Sequence, residues 1–132
     1  MATSNIKEII NSDIHNVWKT VTNINDYSIW RSDIQKTEII NDHKFIEYTR
    51  NGFATTFTIT NVEPYKQLEF NMENENIIGN WTGIFHSEGN KTKIDFTENV
   101  KPKKFFMKPF VKLYLKNQQR KFVYDLKQLL EK

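Results

Sequence analysis

Between Asp33 and Val100 apolar and polar residues alternate with a period close to two, whereas on either side of that stretch the apolar residues recur every three or four positions. The N-terminal part opens with a short strand, "NIKEII". It is followed by "NSDIHNVWKTVTN", where Ile14, Val17, Trp18 and Val21 share a helical face and Ser12 stands at the N-cap position. "NINDYSIW" then carries a second capping signal at Asn25 or Asp26. It is too short for more than two turns, so a second small helix is predicted.

The alternating stretch divides into "DIQKTEII", "KFIEYTR", "FATTFTITNVE", "QLEFNME", "NIIGNWTGIFHSE" and "KTKIDFTENV", with turn residues such as "RNG" and "EGNK" between them. Six strands joined by hairpins make an antiparallel meander. Phe53, Thr55, Phe57 and Ile59 fall on one face of their strand. Leu68, Phe70 and Met72, then Trp81, Gly83 and Phe85, then Ile94, Phe96, Glu98 and Val100 do so in the strands that follow. A sheet apolar on one face needs a cover, and the C-terminal tail is the one element long enough to supply it. Pro109 suits a first helical turn, and Val111, Leu115, Gln118, Phe122, Leu126 and Leu129 recur at helical spacing beyond it. The predicted fold is α+β: about seven strands curled around a long C-terminal helix, with two short helices after the first strand.

Length and composition narrow this further. The 132 residues suit one domain, read as 1–132 without a linker. No window approaches the roughly 18 apolar residues of a spanning helix, and the N-terminus lacks the build of a signal peptide, so a soluble cytoplasmic protein is expected. The absence of cysteine excludes disulfides, thiolate metal sites and a thiol nucleophile. His15, His43 and His86 show no paired metal-ligand spacing, and neither a phosphate-binding glycine loop nor a nucleophile elbow is present. No metal, no cofactor and no catalytic set is therefore expected. Charge is uneven: residues 1–100 carry nine Lys/Arg against fourteen Asp/Glu, and 101–132 carry ten against two. Such a basic tail is either a lysine-rich helix packed on an acidic sheet or a contact for an anionic partner.

The order of elements, with Val17 and Trp18 on the first helix, Tyr27 and Trp30 closing the second, Trp81 and Phe85 on one strand and "LKQLLE" at the end, resembles the START/Bet v 1-like (SRPBCC) superfamily. Within it, the bacterial polyketide cyclase/dehydrase and lipid-transport group is the most similar. The resemblance covers nearly the whole chain. It implies a helix-grip fold whose sheet and long helix enclose a cavity for lipids, polyketides or other hydrophobic molecules, without choosing among them.

The residues expected to face such a cavity are Thr55, Phe57, Phe70, Trp81, Phe85 and Phe96 from the sheet, with Phe110, Tyr114 and Phe122 from the helix. The alternative is that these rings simply fill the space. Trp18 reads as core, while Tyr27 and Trp30 are either core or pocket wall. Glu98 is the candidate with chemistry: strict alternation points it inward, where its pKa would rise, unless the strand frays and leaves it solvated. The expected function is binding of a small hydrophobic ligand for transport, sequestration or presentation. An enzymatic alternative of the cyclase/dehydratase type would use Glu98 with Tyr48 or Tyr114 as a proton-transfer pair. A second alternative starts from Lys104, Lys108, Lys112 and Lys116, which form a stripe beside Phe105, Phe106, Met107, Phe110 and Leu113 and would suit transient contact with an anionic membrane. Otherwise Phe105–Met107 plug the pocket mouth and the lysines are a solvated face. Nucleic acid is not expected as a partner, since the strands do not interleave basic and aromatic residues for base stacking.

Overall fold

The structure is a computed structural model and describes residues 1–131. Its first strand, β1 (Ala2–Ile10), is longer than "NIKEII" because it pairs along its whole length with the last strand, from Ala2 opposite Val100 to Ile10 opposite Thr92. Helix α1 (Ile14–Thr22) starts one residue later than expected. Asp13, not Ser12, is its N-cap: the Asp13 carboxylate accepts the backbone N–H of Asn16, an orphan donor of the first turn. A 3₁₀ turn (Ile24–Asp26) and the single-turn α2 (Tyr27–Trp30) complete the predicted second helix.

The meander follows as β2 (Ile34–Asn41), β3 (Lys44–Thr49), β4 (Ala54–Glu63), β5 (Gln67–Glu73), β6 (Ile77–Glu88) and β7 (Lys91–Pro102). With β1 they form one antiparallel sheet of seven strands in the order β1-β7-β6-β5-β4-β3-β2. Register irregularities in β2–β3 and between Ile59 and Asn61 in β4–β5 add twist and help the sheet curl. The concave face carries a chain of rings. Phe45 stacks on Phe57 at 5.0 Å, Phe57 meets Phe70 at 5.2 Å, and Trp81 lies 4.8 Å from both Phe70 and Phe96. Each such pair contributes about 0.5–1.5 kcal/mol beyond its buried area.

After a 3₁₀ turn at Phe105–Met107, helix α3 (Lys108–Leu130) runs for 23 residues across this face. Its buried side chains are Val111, Leu115, Gln119, Val123, Asp125 and Leu126, while Gln118, Phe122 and Leu129 are half-buried. The buried stripe thus steps by four from Val111 to Val123, a row that drifts around the helix as α3 crosses the sheet at an angle. Polar contacts seat the helix at both sides. Gln119 exchanges hydrogen bonds with Ser4 of β1, and Lys127 pairs with Glu8 at 2.9 Å. Asp125 accepts from the backbone N–H and the hydroxyl of Ser32, 2.8 Å each. Held to β1 on one flank and to the α2–β2 connection on the other, α3 bridges the curl and leaves room beneath it. This is the helix-grip arrangement.

Candidate functional site

Between the concave face and α3 lies an inner chamber of about 130 Å³. For scale, an apolar cavity of about 150 Å³ accommodates one benzene ring. Phe57, Phe70, Trp81 and Phe96 from the sheet and Leu115 and Phe122 from α3 supply its apolar wall. An outer chamber of about 450 Å³ opens beside it, lined by Phe53, Asn76, Met107, Phe110 and Val111 among others. The two share Thr49, Asn74, Ile77, Tyr114 and Gln118, so the outer chamber is the mouth of the inner one.

Of the residues expected at the site, Tyr27, Thr55, Phe57, Phe70, Trp81, Phe96, Glu98, Tyr114 and Phe122 all line the inner chamber. Three do not. Phe85 packs on Trp18 in the core, its ring 5.0 Å away, because it lies on the part of β6 covered by α1. Trp30 lies between Tyr27 and Phe122 at the edge of the core, without reaching the chamber. Phe110 was expected inward but is 67% exposed, on the helix face turned from the sheet, and touches only the mouth. Tyr48, a candidate proton-transfer partner of Glu98, is on the convex face with its hydroxyl bonded to Glu38, since Phe45 and Glu47 take the inward positions of β3. A Glu98–Tyr48 pair is thereby excluded, whereas Glu98 and Tyr114 do face one chamber.

The chamber also contains a charged group that sequence reasoning missed. Arg31 is buried where α2 ends, with its guanidinium 5.0 Å from the rings of both Tyr27 and Phe122. It pairs with Glu47 at 2.8 Å and with Asp33 at 3.3 Å. Burial works against its charge, but the two carboxylates outweigh that, and it stays protonated. Glu47 is itself pushed up by burial, with Arg31 pulling the other way. The signal for Glu47 was present in the alternation of β3, where Phe45 and Glu47 share a face. Nothing local marks Arg31, which turns inward because the chain reverses after a one-turn helix.

Glu98 sits mid-ladder opposite Trp81, with four more residues of β7 beyond it, so the strand does not fray there. Burial, and then the negative charge of Glu47, push its carboxyl up to about 7, while Arg31 opposes the shift. Hydrogen bonding makes no contribution to that shift. Nearby, Arg31 Nε and Asp33 Oδ1 are buried without partners. Burial and then Glu98 raise the pKa of Tyr114, and burial raises that of Tyr27, whose hydroxyl donates to the Val21 carbonyl. Chemically, the inner chamber and its mouth together can take a small apolar molecule and offer its polar end a carboxyl group poised between two protonation states. Among the described residues no group of three acidic, His or Cys side chains is placed to hold a metal ion.

Known proteins share this architecture. A START superfamily protein from Mycobacterium smegmatis superposes with a TM-score of 0.91 at 10% identity, over 99% of this chain and 98% of that one. The Zhui aromatase/cyclase from Streptomyces sp. R1128 gives 0.84 at 8% identity, over 98% and 93%. A conserved protein from Geobacillus kaustophilus gives 0.82 at 11%, over 96% and 93%. At these identities the likeness is one of fold. No significant sequence match is found among curated proteins. The family model for "polyketide cyclase / dehydrase and lipid transport" matches residues 1–131, and the chain belongs to that family.

Proposed function

We propose that the protein binds a small hydrophobic molecule in the chamber between sheet and α3, for transport, sequestration or presentation. The observation that carries this reading is the ring-lined inner chamber joined to a wider mouth. The test is native mass spectrometry of protein purified from its own cells, with identification of any compound released on denaturation. A stoichiometric hydrophobic compound supports the reading. An empty protein that also fails to take up hydrophobic dyes counts against it.

A second feature favours a membrane as the source of that ligand. Phe105 is 88% exposed, Phe106 63% and Leu113 63%, all near the mouth. From Asn99 to Tyr124 the chain has no acidic residue, while Lys104, Lys108 and Lys112 are exposed among these rings. Exposed rings flanked by lysines suit the interface of an anionic bilayer. Phe105 and Phe106 do not plug the pocket, since neither lines a chamber. Lys116 plays no part in this surface, because its ammonium donates to the Asn5 carbonyl. No helix among the described residues is long and apolar enough to cross a membrane, so contact would be peripheral.

A further inference from the structure

Building on the chamber reading above, we propose that the inner chamber recognises an organic ammonium group, the protonated amine of a hydrophobic ligand, through the Glu98 carboxylate and the faces of the surrounding rings. Asp33, Glu47 and Glu98 line the chamber against a single cation, Arg31, and no Lys or His joins them. Arg31 is already committed: one terminal nitrogen bonds Glu47 and the other Asp33, while Tyr27 and Phe122 flank the guanidinium. Glu98 is the surplus carboxyl. It lies between Phe96 and Val100 on the inward face of β7, and the unpartnered Asp33 Oδ1 adds a second free acceptor in the same polar group.

A negative, partly unpaired cavity walled by aromatic faces is the environment in which an ammonium ion is bound well, by a carboxylate on one side and by ring quadrupoles on others. Trp81 lies opposite Glu98 on the neighbouring strand, and Phe57, Phe70, Phe96, Tyr114 and Phe122 line the same chamber. A carboxylate ligand would meet net negative charge there. A neutral ligand would leave Glu98 either protonated or ionised without a partner. The lysines near the mouth do not block a cation, because no charged residue lines the outer chamber itself. They project to solvent, where their field is screened within about 8 Å at physiological salt. A cationic ligand therefore passes from a neutral vestibule to a negative floor.

The charges that act on Glu98 are Glu47 on β3 and Arg31 at the end of α2, while Asp33 just before β2 and the Tyr27 and Tyr114 hydroxyls also line the chamber. Burial, and then the charge of Glu47, hold the Glu98 carboxyl up to about 7. Binding of an ammonium would ionise it, so the amine should bind better as pH rises through that value. An aliphatic amine itself stays charged to about pH 10.

The experiment compares 4-phenylbutylamine, 4-phenylbutanol and 4-phenylbutyrate, which share a tail and differ in the head group, by calorimetric titration of the full chain. At about pH 8 the amine is expected to bind at least about tenfold more tightly than the alcohol, with the carboxylate weakest. Its affinity should fall by about tenfold on going to about pH 6, as Glu98 takes up a proton. Glu98→Gln should abolish most of the amine's advantage over the alcohol, with a cooperative thermal transition showing that the variant is folded. Tighter binding of alcohol or carboxylate, or an amine preference that survives Glu98→Gln, would overturn the inference and leave the chamber reading standing. Failure of all three probes to bind would remove the chamber reading and this inference together.

Discussion

Glu98 shows how far a single position can couple environment to behaviour. Its folded-state pKa of about 7 lies above the ordinary carboxylate range, so between those values the folded chain holds a proton that the unfolded chain has released. The stability contributed by the protonated carboxyl is full below the unfolded value and is lost as pH rises toward 7. Glu98→Gln, which keeps the shape and removes the charge, should flatten that fall and leave the protein more stable than the wild type by about 2 kcal/mol at pH 8, with little difference near pH 4. Urea midpoints across this range check it, and a wild-type profile without the fall would contradict the assignment. Gly83 is a second such position. A Cβ there would lie 2.3 Å from the Trp81 ring, which rests over the glycine on β6. Gly83→Ala must push Trp81 toward Phe70 or into the chamber, with an expected cost of about 1–3 kcal/mol. Denaturant unfolding combined with tryptophan emission would show both effects, and an unchanged midpoint and spectrum would show that the ring has room to yield.

Among the elements, α3 decides the site, because its placement divides filled core from open chamber. Its polar attachments are as specific as its apolar stripe. Gln119 is buried, accepts from the Ser4 hydroxyl at 2.8 Å, and donates to the Ser4 carbonyl at 3.0 Å and the Phe96 carbonyl at 3.3 Å. Gln119→Leu keeps the volume but strands those groups, at a cost of about 1–3 kcal/mol. Since β1 is an edge strand paired only with β7, its amide hydrogens should exchange faster in this variant. Loss of stability without faster exchange in β1 would place the effect elsewhere on the helix.

Across the whole molecule, the basic C-terminal region and the mouth of the chamber fall at one place. Phe105, Phe106 and the lysines beside them are carried by the turn and first helical turns that border the outer chamber through Met107, Phe110 and Val111. If this rim meets a bilayer, the full chain should sediment with vesicles rich in phosphatidylserine, should not do so with phosphatidylcholine, and should be released by high salt. Each exposed phenylalanine that inserts contributes up to about 1.5–3 kcal/mol. Phe105→Ser with Phe106→Ser should therefore weaken vesicle binding by well over about tenfold while leaving the thermal midpoint unchanged. Vesicle binding that ignores lipid charge or survives this double substitution would remove the membrane as a partner of this surface.

The sequence by itself determined the elements and their order, because these depend on periodicity, caps and turns that act over a few residues. The period-two stretch resolved into strands that end within a few residues of those expected, and the six proposed strand residues Thr55, Phe57, Phe70, Trp81, Phe96 and Glu98 line the chamber because side chains on a strand must alternate. Tertiary structure decided what lies far apart in sequence. It paired β1 with β7 and slid α3 so that Gln119 and Val123 are buried in place of Gln118 and Phe122. It also turned Arg31 inward against Glu47 and Asp33. It placed Phe110 on the outside, and Phe85 and Trp30 in the core away from the chamber, since a helical or strand period says which residues share a face but not what that face meets. The charge of the chamber belongs to this second class: the Arg31–Asp33 pair of the α2–β2 connection, Glu47 of β3 and Glu98 of β7 come from three separate segments, and only the curl of the sheet under α3 brings them to one chamber, where their charges are poorly screened.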